Sequence, residues 1–184
     1  VVSSDTYYYK VAYDMGVDRI HDFMKPWGFG QITGIDLEHE STGVLPSTQW
    51  KLKRFKQKWY PGETPSIGIG QGYNAFTMLQ LAHATATLAN DGIVMKPHVV
   101  HTIEDALTHA RQRTVPTESY RIPLQREYLD LVRNAMADVN RFGTGRIAFA
   151  NTEYVAAGKT GTAQVIGMKQ GERYDARRIS ERHR

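Results

Sequence analysis

Two short clusters near opposite ends of this 184-residue chain carry side chains suited to acyl or carboxylate chemistry. They are Ser3-Ser4-Asp5 and Lys159-Thr160-Gly161-Thr162. In the second, Lys159 supplies positive charge, Thr160 and Thr162 supply hydroxyls, and Gly161 removes the side chain that would block a ligand. Ala156-Ala157-Gly158 before it and Ala163 after it keep the flanks small. Read as an edge strand, such a segment binds a carboxylate and pairs with an extended, peptide-like substrate. Each cluster alone is a weak signal. A Lys-Thr-Gly triplet is common by chance, and Ser3-Ser4-Asp5 is explained by a helix cap in which Ser4 or Asp5 accepts from free N–H groups.

Other patterns that suggest chemistry fail at identifiable positions. Gly68-Ile69-Gly70-Gln71-Gly72 would need a third glycine for a dinucleotide fingerprint, and Tyr73 stands there. Gly158-Lys159-Thr160 ends like a phosphate-binding loop, but Glu153 replaces the required glycine, and an acid there repels phosphate. His39-Glu40 lacks the second histidine of a zinc-helix motif, because position 43 is Gly43. His98 and His101 fall on opposite faces of a strand. With no cysteine, thiolate metal sites and disulfides are excluded. No metal and no cofactor is expected.

The elements that must position the two clusters follow from periodicity. Thr6 to Met15 reads as a helix ended by Gly16, and Asp18 can cap a second helix broken near Lys25-Pro26. Residues 28–46 read as loop with short extended pieces. Lys51, Lys53, Arg54, Lys56 and Lys58, interleaved with Trp50, Phe55 and Trp59, read as a solvated surface. A helix is predicted from Asn74 or Thr77 to Asn90, then strands at Ile93–Met95 and His98–Ile103. Glu104 to Pro123 reads as a polar, irregular excursion. Leu124 to Asn140 is the clearest helix, with a stripe of Leu124, Tyr128, Leu131, Val132, Ala135, Met136 and Val139 that reads as core. After a turn at Arg141–Gly145, an extended run is predicted from Tyr154 to Ile166. The class is α+β.

Composition bounds the function. An apolar share of 41% and a charged share of 23% exclude a disordered tail, a collagen or a coiled coil. The formal charge of +4 is too small to argue for nucleic acid, and none is expected as a partner. The chain contains no apolar run of membrane-spanning length and no visible signal peptide. It opens on Val1 within what reads as ordered structure and stops after Arg184 without a helix stop, so it is expected to be a fragment of a longer chain.

Together, the clusters and the segments between them resemble the penicillin-binding and serine β-lactamase superfamily. More narrowly they resemble class B penicillin-binding proteins of the elongation type, the penicillin-binding protein 2 group. The resemblance rests on Ser3-Ser4-Asp5-Thr6-Tyr7-Tyr8-Tyr9, Thr33-Gly34-Ile35-Asp36-Leu37, Gly68-Ile69-Gly70-Gln71-Gly72-Tyr73 and Lys159-Thr160-Gly161-Thr162-Ala163-Gln164-Val165. It covers nearly the whole chain. The fold it implies is a penicillin-binding transpeptidase fold, present over 1–184 in part: the helical portion plus an edge strand of the antiparallel sheet.

The resemblance implies a peptidoglycan D,D-transpeptidase that cross-links stem peptides through a serine acyl-enzyme and is the target of β-lactams. By match, Ser3 is a proton-shuttling and orienting hydroxyl. Lys159 hydrogen-bonds it and adds positive potential for the substrate carboxylate. Thr160 and Thr162 bind that carboxylate, Gly161 lets substrate approach, and the Thr162 backbone N–H belongs to the oxyanion hole. Asp5 stands where the common motif has asparagine, and an ionised carboxylate can only accept hydrogen bonds. None of the serines 3, 4, 41, 47, 66, 119 and 180 has lysine three residues later, so the nucleophile motif Ser-x-x-Lys is not in this sequence. The chain alone is therefore expected to be inactive. The implied partners are stem peptides, β-lactam antibiotics, and a glycan-strand polymerase with elongation-complex proteins. The implied setting is the periplasmic face of the bacterial inner membrane, with an anchor upstream. A non-catalytic penicillin-sensing or scaffolding module of the same superfamily is the alternative, and a soluble β-lactamase fits the Thr33–Leu37 and Ser3–Tyr7 segments less well.

Overall fold

The computed structural model describes residues 1–163, and its first element is helix α1 (Asp5–Met15). Ser4 holds the N-cap position with extended backbone, but neither it nor Asp5 makes the expected side-chain cap bond. Asp5 lies in the first turn instead, where its charge meets the positive end of the helix. Gly16, at φ 76°, ends α1 and opens α2 (Val17–Met24). A single 3₁₀ turn at Lys25–Trp27 then breaks the helical path beside Pro26, as the sequence predicts.

Asp18 does not cap α2. Its carboxylate accepts from the backbone N–H and the hydroxyl of Thr48, both at 2.8 Å, and so fixes the start of α3 (Thr48–Phe55). Helix α3 corrects the reading of 51–58 as uniformly solvated surface. Lys53, Arg54, Lys56 and Lys58 are exposed, but the Lys51 side chain is only 2% exposed. A buried ammonium is tolerable only when paired, and Lys51 donates to both Glu63 carboxylate oxygens at 2.5 and 2.6 Å. Burial alone would lower the Lys51 pKa and raise that of Glu63. The ion pair outweighs it, leaving Lys51 raised and Glu63 lowered. Tyr73 packs its ring against Trp50, Phe55 and Trp59 and donates its hydroxyl to Glu63 at 3.3 Å.

From this cluster the chain passes through α4 (Thr64–Ile67) to Gly68, which rests on α1. A side chain at Gly68 would run into the Ala12 methyl and the Tyr8 carbonyl, so only glycine permits this contact. A second cluster of Phe29, Leu45 and Ala84, flanked by Met24, Trp27 and Phe76, forms a core against α5 (Met78–Ala89). Thr77 and Gln80 cap α5 reciprocally, as the predicted start at Thr77 requires. The Gln80 amide also donates to the carbonyls of Gln31 and Thr42, tying the 28–46 loop to α5.

Strand β1 (Ile93–Met95) matches the prediction and pairs antiparallel with β4 (Glu118–Arg121), while β2 (Thr102–Glu104) pairs with β3 (Arg111–Arg113). The predicted strand at His98–Ile103 is thus displaced to Thr102, because the Asp36 carboxylate takes the N–H groups of Val99 and Val100 at 2.7 and 3.0 Å. Backbone donors spent there are not available to a ladder. The irregular reading of 104–123 is corrected too: it contains β3 and β4, whose residues are all exposed and carry no apolar alternation.

Helix α6 (Arg126–Arg141) matches the predicted 124–140 helix except at its start, where Gln125 is the N-cap and Leu124 lies before the helix. Its apolar stripe is not wholly core. Of the predicted stripe only Val139 is buried, with Leu124, Ala135 and Met136 half-buried and Tyr128, Leu131 and Val132 exposed, while Leu129, outside the predicted stripe, is buried. Arg133 docks α6 on α5, donating to the carbonyls of Leu88 and Ala89 and to Asp91 at 2.6–3.0 Å. The run after Tyr154 has no ladder partner among the described residues, and its predicted end at Gln164–Ile166 lies outside them.

The Glu63 pair makes stability pH-dependent. A carboxylate whose folded pKa is lowered contributes stability that is fully present above its unfolded value, about 4.3, and is lost as pH falls through the folded value. In the full-length protein, Glu63→Gln is expected to lower the melting temperature at neutral pH and to leave a smaller further loss on acidification. Parallel melting-temperature curves for the two proteins between neutral and strongly acid pH contradict this.

Candidate active site

The ends of the described chain meet at one cleft of about 880 Å³. Its walls are the segment before and along the first turns of α1, the Gly68–Gln71 loop, one face of α6, and Lys159 to Thr162. All six residues singled out from the sequence line it: Ser3, Asp5, Lys159, Thr160, Gly161 and Thr162.

The central contact is a hydrogen bond from the Lys159 ammonium to the Ser3 hydroxyl, 2.8 Å long. Lys159 also donates to the Thr160 carbonyl at 2.7 Å. An ammonium has three donors, and among the described residues these two bonds leave one of them for a ligand. Ser3 accepts from Lys159 and keeps its own hydrogen to give away. Its backbone lies at φ 55°, the left-handed region, at a cost of roughly 1 kcal/mol for a non-glycine residue. Strain held at a polar cleft residue is a mark of a functional position. Asp5, the first residue of α1, lines the same wall and has no hydrogen-bond partner among the described residues. Around a Cβ placed on Gly161 there is open space, so at this point the cleft admits a ligand against the backbone.

Four further residues hold the Lys159–Thr162 segment, and sequence reasoning did not assign them. Asn140, near the end of α6, donates its buried amide to the Ala156 carbonyl at 3.0 Å. The Gly158 N–H donates to the Met136 carbonyl at 3.0 Å. Thr144, in the turn after α6, places its hydroxyl 2.6 Å from that of Thr160. Gln71 donates its amide to the Thr162 carbonyl at 3.1 Å. The only signal for Gln71 was its place in the glycine-rich 68–72 segment. Thr144 sat in a stretch read merely as a turn. The exposed rings of Tyr7 and Tyr8, edge to face at 5.2 Å, add an aromatic wall.

Chemically, the cleft offers a lysine-polarised hydroxyl, a positive charge, two threonine hydroxyls and an unobstructed backbone segment. That set can bind a carboxylate, move a proton through Ser3 and lay an extended amide along 160–162.

Comparison with known proteins gives consistent results. Residues 1–180 match the model of the penicillin binding protein transpeptidase domain. Peptidoglycan D,D-transpeptidase MrdA of Haemophilus influenzae is 44% identical over 174 residues, covering 94% of this chain and 27% of the relative. The Escherichia coli K12 protein of the same name is 44% identical over 189 residues, covering 99% and 29%. The chain thus spans under a third of these relatives' length. Among solved structures, Pseudomonas aeruginosa PBP2 in complex with WCK 5153 superposes with a TM-score of 0.78 at 42% identity, covering 89% of this chain and 37% of that one. Helicobacter pylori PBP2 in complex with MreC gives 0.72 at 31% identity, covering 88% and 29%.

The Asn140 clamp is open to a direct check. In the full-length protein, Asn140→Ala leaves the Ala156 carbonyl without its donor and is expected to cost about 1–3 kcal/mol in urea unfolding. A denaturation midpoint equal to wild type would show that the clamp carries no load.

Proposed function

Because this chain belongs to the penicillin-binding protein transpeptidase family, we propose that it is part of a peptidoglycan D,D-transpeptidase whose acyl transfer runs in the Ser3–Lys159 cleft. The observation that carries this reading is the 2.8 Å bond from Lys159 to Ser3 beside a backbone segment open to a ligand.

In the proposed reaction a serine outside these 184 residues gives its proton to the lysine of its own Ser-x-x-Lys motif and attacks the carbonyl carbon of the penultimate D-alanine of a stem peptide. The bond to the terminal D-alanine breaks, and the leaving amine takes its proton from the Ser3 hydroxyl, which is refilled by the proton held on that lysine. Lys159 makes that transfer easier by polarising Ser3, since an ammonium hydrogen bond stabilises the alkoxide character that develops on its oxygen. The acyl-enzyme ester is then attacked by an amine of a second stem peptide, whose proton returns by the reverse of this relay to the departing serine oxygen, so the cross-link forms and the serine is freed. Thr160, Thr162 and the remaining Lys159 donor receive the terminal carboxylate, while the Thr162 N–H faces the oxyanion. Asp5, at the cleft wall, is placed to accept from a substrate N–H. A β-lactam enters by the same route, its ring amide opening on the same serine.

The substrate lies outside the cytoplasmic membrane, so the whole protein would act at the periplasmic face, held by an anchor outside this sequence. Among the described residues no helix is long and apolar enough to cross a membrane. The complex of the Helicobacter pylori relative with MreC, and a structure of a peptidoglycan synthase complex at TM-score 0.76, support a place beside a glycan-strand polymerase and its elongation partners.

The test is acylation of the full-length protein by a fluorescent penicillin. Lys159→Ala and Ser3→Ala are each expected to slow it by about 10²-fold or more, the scale of losing one preorganised donor, with melting temperatures close to wild type. Acylation by both variants at the wild-type rate would refute the assignment.

A further inference from the structure

The hydroxyls of Thr144 and Thr160 lie 2.6 Å apart, yet Thr144 is outside the set of residues that line the cleft. A hydroxyl has one hydrogen to give and lone pairs to receive with. Two arrangements are therefore open to this pair. If Thr160 donates to Thr144, it turns its lone pairs toward the cleft, and these repel a carboxylate. If Thr144 donates to Thr160, the Thr160 hydrogen is left for the ligand.

We propose that Thr144 is a positioning residue: its hydroxyl donates to Thr160 and so turns the Thr160 hydrogen toward the carboxylate of an incoming stem peptide or β-lactam. This rests on the reading of Thr160 as a carboxylate-binding residue. A carboxylate is an acceptor only, so its arrival selects the second arrangement. The chain from Thr144 to Thr160 to carboxylate is then polarised in one direction, and each bond strengthens the next.

The backbone on either side of Thr144 is anchored for this task. The N–H of Gly143 donates to Asp138 and that of Gly145 to Val139, both at 3.0 Å, so the turn is stitched to the end of α6. Gly145 is also packed so closely on Asn140 that a side chain would strike the Asn140 side-chain oxygen Oδ1. Asn140 in turn holds the Ala156 carbonyl at 3.0 Å. One helix end thus sets both the path of the 156–162 segment and the direction of the Thr160 hydroxyl. Both threonines are solvent-accessible. Water competes for their hydrogens in the open cleft, and the effect of Thr144 is felt when substrate excludes that water.

The test uses the full-length protein turning over a thioester analogue of the stem peptide with a free terminal carboxylate. Thr144→Val is expected to raise KM about three- to ten-fold while kcat stays within about two-fold, the scale of one cooperative hydrogen bond. Thr144→Ser, which keeps the hydroxyl, restores KM. Thr160→Val raises KM at least as much, and adding Thr144→Val to it produces no further rise, because Thr144 acts only through Thr160. Melting temperatures of the variants identify any general loss of fold, and the serine rescue remains informative if the valine variant is unstable. A wild-type KM for Thr144→Val overturns the proposal, as does a double variant in which the two increases multiply. If Thr160→Val itself leaves KM unchanged, the carboxylate-binding reading falls, and the role of Thr144 falls with it.

Discussion

A single ammonium–hydroxyl contact, Lys159 to Ser3, joins residues 156 positions apart and gives the cleft its chemistry. One charged hydrogen bond contributes only about 1.5–3 kcal/mol, far too little to close a loop of that length against chain entropy. The contact exists because each partner is delivered separately. Ser3 is held just ahead of α1, and Lys159 lies on a segment pinned to α6 at Ala156 and Gly158, to Thr144 at Thr160, and to Gln71 at Thr162. The bond reports that two supported elements arrive in register.

The same support extends outward. Helix α1 is located by Gly68, whose missing side chain allows Ala12 and Tyr8 to approach. Gly68 belongs to the loop that follows α4, and that loop is held by Glu63, Lys51 and the rings around Tyr73. Helix α6 is fixed on α5 by Arg133, whose donors meet the last carbonyls of α5 and the lowered-pKa Asp91. Hydrogen bonding from Arg133 is the first cause of that lowering. The cleft is therefore a joint between two separately braced bodies of structure, one carrying Ser3 and the other carrying the Lys159 segment.

Much of this was legible in the sequence, for physical reasons. Helices α1, α5 and α6 show through periodicity and Gly16 marks the end of α1, all local signals, whereas α2 was expected from a cap at Asp18 that bonds Thr48 instead. The residues that meet in the cleft were singled out because Ser3-Ser4-Asp5 and Lys159-Thr160-Gly161-Thr162 occur together in one chain. What was not legible depends on distant partners. Lys51 looks like any surface lysine until Glu63, twelve residues on, is brought against it. The hairpin of β2 and β3 exposes every residue, so no alternation marks it, and Asp36 shifts its start from far upstream. Gln71 and Thr144 are ordinary polar residues in loops, and only the folded geometry aims them at Thr162 and Thr160.

In the proposed reaction Ser3 assists rather than attacks: it accepts a hydrogen bond from Lys159, is held at φ 55°, and passes a proton. The most direct test is to label the full-length protein with penicillin, digest it and map the acylated peptide by mass spectrometry. The account predicts a single adduct on a serine outside these 184 residues, followed three positions later by lysine. An adduct on Ser3, or on any other serine of this chain, would contradict it.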